Sequence, residues 1–154
     1  DVLAAILSEF DRHHCDSVYA DLDYVRRHRT DRIVRRWVSG PFSRRKIRYG
    51  WMPPHPTFFV RKEVYDNFGL YRSELKLSAD YELMLRFLYK YKISTSYLAR
   101  RIVNMRTGGL SNKSWKNRFL ANREDRKACR MNGLKPGWLT ATLKPLRKLG
   151  QFFG

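Results

Sequence analysis

An α/β domain is the fold class this sequence predicts, and three patterns carry the expectation. Residues Asp16 to Val25 alternate, with Val18, Ala20, Leu22 and Tyr24 on one face and Tyr19, Asp21, Asp23 and Val25 on the other, as in a strand. Leu83, Met84, Phe87, Leu88 and Tyr91 form one stripe at helical spacing over Asp80 to Lys92. Helical and extended segments then succeed one another along the chain, which is the pattern of an α/β fold or of the end of one.

The elements follow in order. Leu3, Ile6, Leu7 and Phe10 predict an amphipathic helix over residues 2–13, ahead of the alternating strand. Residues 32–38 predict a second strand, and Ser39 to Tyr49 a basic turn or short helix. Pro53, Pro54 and Pro56 exclude an α-helix across Gly50 to Pro56, because each removes a backbone donor and pushes the residue before it to extended geometry. The resulting stiff loop feeds a short apolar strand, Thr57 to Val60. Lys62 to Phe68 reads as a helix stopped by Gly69. The helix at Asp80 takes Ser78 or Asp80 as its cap. Ile93 to Arg106 reads as one or two strands, and Gly108-Gly109 breaks the chain. Ser111 or Ser114 opens a helix that Gly133 stops, and Pro136 to Phe153 forms an interrupted helical end.

At 154 residues, with 43% hydrophobic and 14% aromatic content, the chain is long and apolar enough for one folded core. Its 32 Lys and Arg against 14 Asp and Glu give a formal charge of +18, which points to anionic partners: nucleic acid, an anionic membrane or phosphorylated substrates. Ten of these cations lie between Arg26 and Arg48, and fourteen more follow from Arg100. Cys15 and Cys129 are far apart, and the four histidines have no ligand spacing, so a zinc site and a disulfide framework are not expected. Two free thiols suit a reducing cytoplasm. No apolar run approaches the ~20 residues of a membrane span. The chain opens on Asp1-Val2-Leu3-Ala4, directly in helical periodicity, without Met and without a signal-peptide pattern; it reads as a piece of something longer.

Several residues have chemistry to offer. Asp80, in the first turn of a helix, is either a cap or a fixed carboxylate whose charged form the helix dipole favours. Trp51 and His55 stand on the stiff loop, where an aromatic face packs on a sugar ring and an imidazole bonds hydroxyls or a phosphate; the alternative is structural packing under the loop. Arg106 precedes Gly108 and Gly109, which let backbone N–H groups approach an anion while the guanidinium pairs with it. Asp21 and Asp23 share a strand face, as the carboxylates of a cation site would.

Gly50-Trp51-Met52-Pro53-Pro54-His55-Pro56-Thr57-Phe58-Phe59-Val60-Arg61, followed by Ser78-Ala79-Asp80-Tyr81-Glu82-Leu83, resembles the acceptor-side half of inverting family-two glycosyltransferases. The resemblance extends over about residues 1–115. It implies a partial GT-A, Rossmann-like domain over residues 1–112 that lacks the N-terminal nucleotide-binding half, with a basic helical tail over 113–154 that associates with membranes. Asp80 would be the catalytic base; Ala79 stands where the family's Glu-Asp motif has its Glu. Asn104 to Asn112 resembles the late loop that closes over the diphosphate, without the histidine that many relatives carry there. Asp21-Leu22-Asp23 resembles a strand after the family's metal motif, so Asp21 would line the sugar site and Asp23 would be a solvated or salt-bridged strand residue. No metal ligand is assigned to this chain.

The implied activity is transfer of a sugar from a nucleotide-diphosphate donor to a lipid-linked or saccharide acceptor in bacterial surface-polysaccharide synthesis. A divalent cation, Mg2+ or Mn2+, would be bound mainly by the missing half, and the fragment alone would be inactive. The implied location is the cytoplasmic face of the plasma membrane, as a peripheral protein on anionic lipid, with no specific nucleic acid. Lys144, Arg147 and Lys148 among Leu143, Leu146, Phe152 and Phe153 suit such a surface or a helix docked on its own domain. The rival reading is a basic nucleic-acid-binding module without enzymatic activity, although no zinc finger, RNP-like strand pair or GxxG clamp is present. A third is a membrane-docking domain that keeps the fold without turnover.

Overall fold

The computed structural model describes residues 1–108 and 115–135. It is a mixed α/β structure with a four-stranded sheet. In order come α1 (Val2–His13), β1 (Ser17–Arg26), β2 (Arg29–Trp37), α2 (Arg44–Ile47), a 3₁₀ turn (His55–Thr57), β3 (Phe59–Val60), α3 (Lys62–Phe68), α4 (Ala79–Met84), a π-helical continuation (Leu85–Lys90), β4 (Thr95–Arg106) and α5 (Trp115–Met131).

β1 is the centre of the sheet. Its C-terminal half forms an antiparallel hairpin with β2, its first residues pair antiparallel with β3, and β4 runs parallel to it on the other side. The starts of β1 and β4 are fastened reciprocally: Asp16 Oδ2 accepts the Ser94 N–H (2.8 Å) and hydroxyl (2.7 Å), and Asp16 N–H donates to Ser94 Oγ (2.8 Å). Alternation along β1 predicts one buried face, yet both faces are buried. Val18 packs with Ile6 and Phe10 of α1 and with Cys15. On the opposite face Tyr19 meets Trp51, which lies on the main core. β2 is the exposed arm of the hairpin.

The main core is built on α4 and its continuation, where Leu83, Leu85, Phe87 and Leu88 are fully buried. Each such side chain contributes about 1.5–3 kcal/mol by leaving water. The α-helical hydrogen bonding ends at Met84, and the next residues are wound as a π-helix, with Tyr91 N–H bonded to Arg86 O at 2.9 Å. The wider turn presents both Phe87 and Tyr91 to Phe68, which stacks on Tyr91 at 4.2 Å. Gly69 ends α3 at φ 84°, and a Cβ there would lie 3.1 Å from Arg86 Nη1, so both backbone and space require glycine.

Two local expectations are corrected and a third is narrowed. Thr57 to Val60 is not one strand: His55–Thr57 is a 3₁₀ turn and only Phe59–Val60 pair with β1. Proline is tolerated there because the first turn of a helix leaves its N–H groups unsatisfied anyway. Ile93 to Arg106 yields a single strand, β4, whose pairing with β1 is irregular on either side of Asp21. The α4 N-terminus is not capped by the Ser78 side chain. Residues 115–135, grouped by sequence with the basic tail, contribute Ala128, Cys129 and Leu134 to the main core. Ser111, Ser114 and the 136–153 segment lie outside the described residues. No helix among the described residues is long and apolar enough to cross a membrane.

Candidate functional site

The 55–57 turn is pinned to the centre of the sheet by a buried threonine. Thr57 Oγ1 accepts the Ala20 N–H at 3.2 Å and lies within hydrogen-bond reach of the carbonyls of Ala20 (2.8 Å) and Pro54 (2.9 Å). Rigidity thus comes from the three prolines and from this anchor. It fixes His55, whose Nε2 is 2.7 Å from the Tyr71 hydroxyl, with the two rings edge to face at 6.0 Å.

Tyr71 meets His55 and lies within electrostatic reach of Asp80. Burial pushes its hydroxyl up to about 12, the neighbouring Tyr65 adds to this, and the Asp80 carboxylate is close enough to contribute. Asp80 is half-buried in the first turn of α4, and its Oδ1 accepts the Tyr81 N–H at 2.7 Å. The structure thus pairs His55 with Tyr71 and puts Asp80 within electrostatic reach of that tyrosine. Tyr71 went unnoticed in the sequence because Gly69-Leu70-Tyr71-Arg72 has no periodicity; only the fold returns it to the 55–57 turn.

The backbone that leads into Asp80 is held from α5. Glu124 is buried, and its carboxylate accepts N–H groups from Lys76 (3.2 Å), Leu77 (2.8 Å) and Ser78 (3.1 Å). Ser78 Oγ in turn donates to Ala121 O at 3.3 Å. A carboxylate taking three backbone donors fixes the segment that runs into α4, ahead of the helix's own first-turn N–H groups.

Asp21 and Trp51 occupy the adjoining sheet face in packed settings. Asp21 is 7% exposed and accepts the Ser39 N–H (2.8 Å) and the Tyr97 hydroxyl (2.8 and 3.0 Å to its two oxygens). Burial and this carboxylate push Tyr97 up. Trp51 is half-buried, edge-on to Tyr19 at 6.1 Å and 6.0 Å from Phe42. Asp23 is buried rather than solvated and pairs with Arg101 at 3.4 Å. Among the described residues no group of three or more His, Cys, Asp or Glu is placed to hold a metal ion.

Arg106 and Gly108 are exposed at the far end of β4, where Arg106 pairs with Val25. Val25 lies about 17 Å along β1 from the Ala20 anchor at ~3.3 Å per residue. Gly108 adopts φ 105° in open space, and Gly109 lies outside the described residues. No family model, curated protein or solved structure matches the chain.

Two measurements follow. Asp21→Ala leaves the Ser39 N–H without its buried acceptor, which costs about 1–3 kcal/mol of stability in urea unfolding; an unchanged midpoint would remove Asp21 from the fold's support. Tyrosine burial sets the alkaline limit. Desolvation pushes the Tyr71 hydroxyl up to about 12 from an ordinary 10.0, and burial also raises Tyr19 and Tyr81. Because the folded pKa is the higher, this contribution is intact below about pH 10 and lost as pH rises towards 12. Denaturant unfolding on either side of pH 10 reads it, and stability that holds constant to pH 12 would refute it.

Proposed function

We propose that the chain is the acceptor-side part of an inverting, family-two glycosyltransferase domain of the GT-A fold, with Asp80 as its catalytic base. The observation that carries the reading is the placement of Asp80: a half-buried carboxylate in the first turn of α4, within electrostatic reach of Tyr71, which His55 meets. That turn is held by α5 and packed on a rigid helix, as a positioned base requires.

In the proposed step the acceptor hydroxyl oxygen attacks the anomeric carbon of a nucleotide-diphosphate sugar. The bond from that carbon to the diphosphate oxygen breaks, its electron pair leaves with the nucleotide, and configuration inverts. The hydroxyl proton passes to Asp80 Oδ2, while Oδ1 stays on the Tyr81 N–H. His55 and Tyr71 offer a paired nitrogen and hydroxyl to the sugar's own hydroxyls. The reading assigns Mg2+ or Mn2+ and the donor diphosphate to the nucleotide-binding half, and none of these steps passes through the metal. The acceptor is a lipid-linked or free saccharide of bacterial envelope polysaccharide, met at the cytoplasmic face of the plasma membrane.

The test is sugar transfer by the full-length protein from a panel of nucleotide sugars, with Asp80→Asn as the paired variant. Absence of donor binding and of transfer across the panel would sink the reading. One observation favours the nucleic-acid alternative: β2 exposes Arg32 and Arg36. Against it, the Tyr24 face that a base would need already carries Arg35, 3.9 Å from the ring centroid.

A further inference from the structure

We propose that the outward face of α5 is a membrane-docking surface that seats Trp115 and Phe119 in an anionic lipid interface. The proposal rests on the reading above only for its partner, and it moves the point of contact into the folded domain. Trp115 is 83% exposed and Phe119 74%, and their spacing puts both on one face of the helix. Lys116, Arg123, Arg126 and Arg130 are exposed on the same side. The helix's carboxylates are not on that face: Glu124 is buried on the 76–78 backbone, and Asp125 is half-buried. Ala128 and Cys129 fill the inward side.

An outward face of two large aromatics among cations, without acid, has the chemistry of an interfacial helix. Aromatic rings sit at headgroup depth, and the cations meet anionic headgroups. Exposed Leu120 flanks the stripe; it gains nothing from base stacking but partitions into lipid, which favours a bilayer over nucleic acid. Docking also has a geometric consequence. Glu124 on the inner side holds the backbone that leads to Asp80, so a seated α5 puts the candidate base roughly one helix diameter, ~10 Å, from the lipid surface. That is where a lipid-linked acceptor presents its hydroxyl.

The experiment is cosedimentation of the full chain, at physiological salt, with phosphatidylcholine vesicles with or without phosphatidylglycerol. Wild type should pellet with the anionic vesicles and stay free of the neutral ones. Trp115→Ser/Phe119→Ser should lower partitioning at least about tenfold with an unchanged melting temperature, because both side chains are exposed. Arg123→Glu/Arg130→Glu should lower it by about fivefold or more for each cation lost, and it keeps the test decisive if the aromatic pair misfolds. Arg32→Glu/Arg36→Glu makes the same charge change on β2 and should matter far less. If wild type ignores anionic vesicles, or prefers a particular nucleic acid sequence to them, the membrane partner falls and this proposal with it. If wild type binds but the α5 variants bind equally well, or the β2 variant is the one that fails, the α5 face alone is wrong.

Discussion

Asp80→Asn should abolish sugar transfer by the full-length protein while leaving donor binding intact. A positioned general base contributes about 10²–10⁴-fold, so kcat should fall by that factor with little change in the dissociation constant of the nucleotide sugar. Asparagine keeps an oxygen for the Tyr81 N–H, so α4 and the fold should survive, and circular dichroism and the unfolding midpoint should match wild type. What the amide cannot do is accept the acceptor's proton. Tyr71→Phe separates this role from simple crowding: it removes the hydroxyl that meets His55 and leaves the Asp80 carboxylate in place. Its effect should be smaller and should lie mainly in KM for the acceptor. Turnover near wild type in the Asn variant would reduce Asp80 to a residue of the helix's first turn and remove the basis of the enzymatic reading.

The parts of this arrangement that were legible in sequence are those written in local chemistry. The bounds of α1 and α3 follow from apolar spacing and from Gly69, and the stiffness around His55 follows from three prolines. Asp80 stood out because a helix start is a local signal. What stayed hidden depends on contacts distant in sequence. Nothing near Ser78 announces that its N–H is held by Glu124 on α5, and nothing near Tyr71 announces His55. Resemblance alone assigns Asp21 to the sugar site, and alternation cannot distinguish a half-exposed strand from a central one. Only the parallel neighbour β4, bringing Tyr97, and the Ser39 backbone show that its oxygens are engaged. The mixed α/β class needed only periodicity, whereas the order of strands around β1 needed the tertiary structure.

Arg86→Met should destabilise the domain by roughly 3–5 kcal/mol, the usual result of stripping one partner from a buried ion pair. Glu82 and Arg86 lie one turn apart in the α4 segment, off the stripe expected to be apolar, yet both are buried. Glu82 is fully buried; Arg86 Nη2 sits 3.2 Å from its Oε2, while Arg72 Nε and Asn132 Nδ2 each reach Oε1 at 3.2 Å. The guanidinium also donates to the carbonyls of Phe68 and Leu70 at 2.6 Å each, closing the turn around Gly69 that delivers Tyr71 to His55. Methionine matches the volume of the stem but supplies none of these donors. Two carbonyls then lose their donor, and the buried carboxylate keeps only Arg72, itself 41% exposed, and Asn132. Loss of the turn should also loosen Tyr71, so acceptor KM should rise at temperatures where the variant remains folded. Glu82→Leu/Arg86→Met separates charge from packing: with neither charge left behind, much of the lost stability should return, while the 68–70 carbonyls and the KM defect remain uncorrected. A double variant no more stable than Arg86→Met alone would show that the carbonyl bonds, rather than the carboxylate left without Arg86, carry the cost.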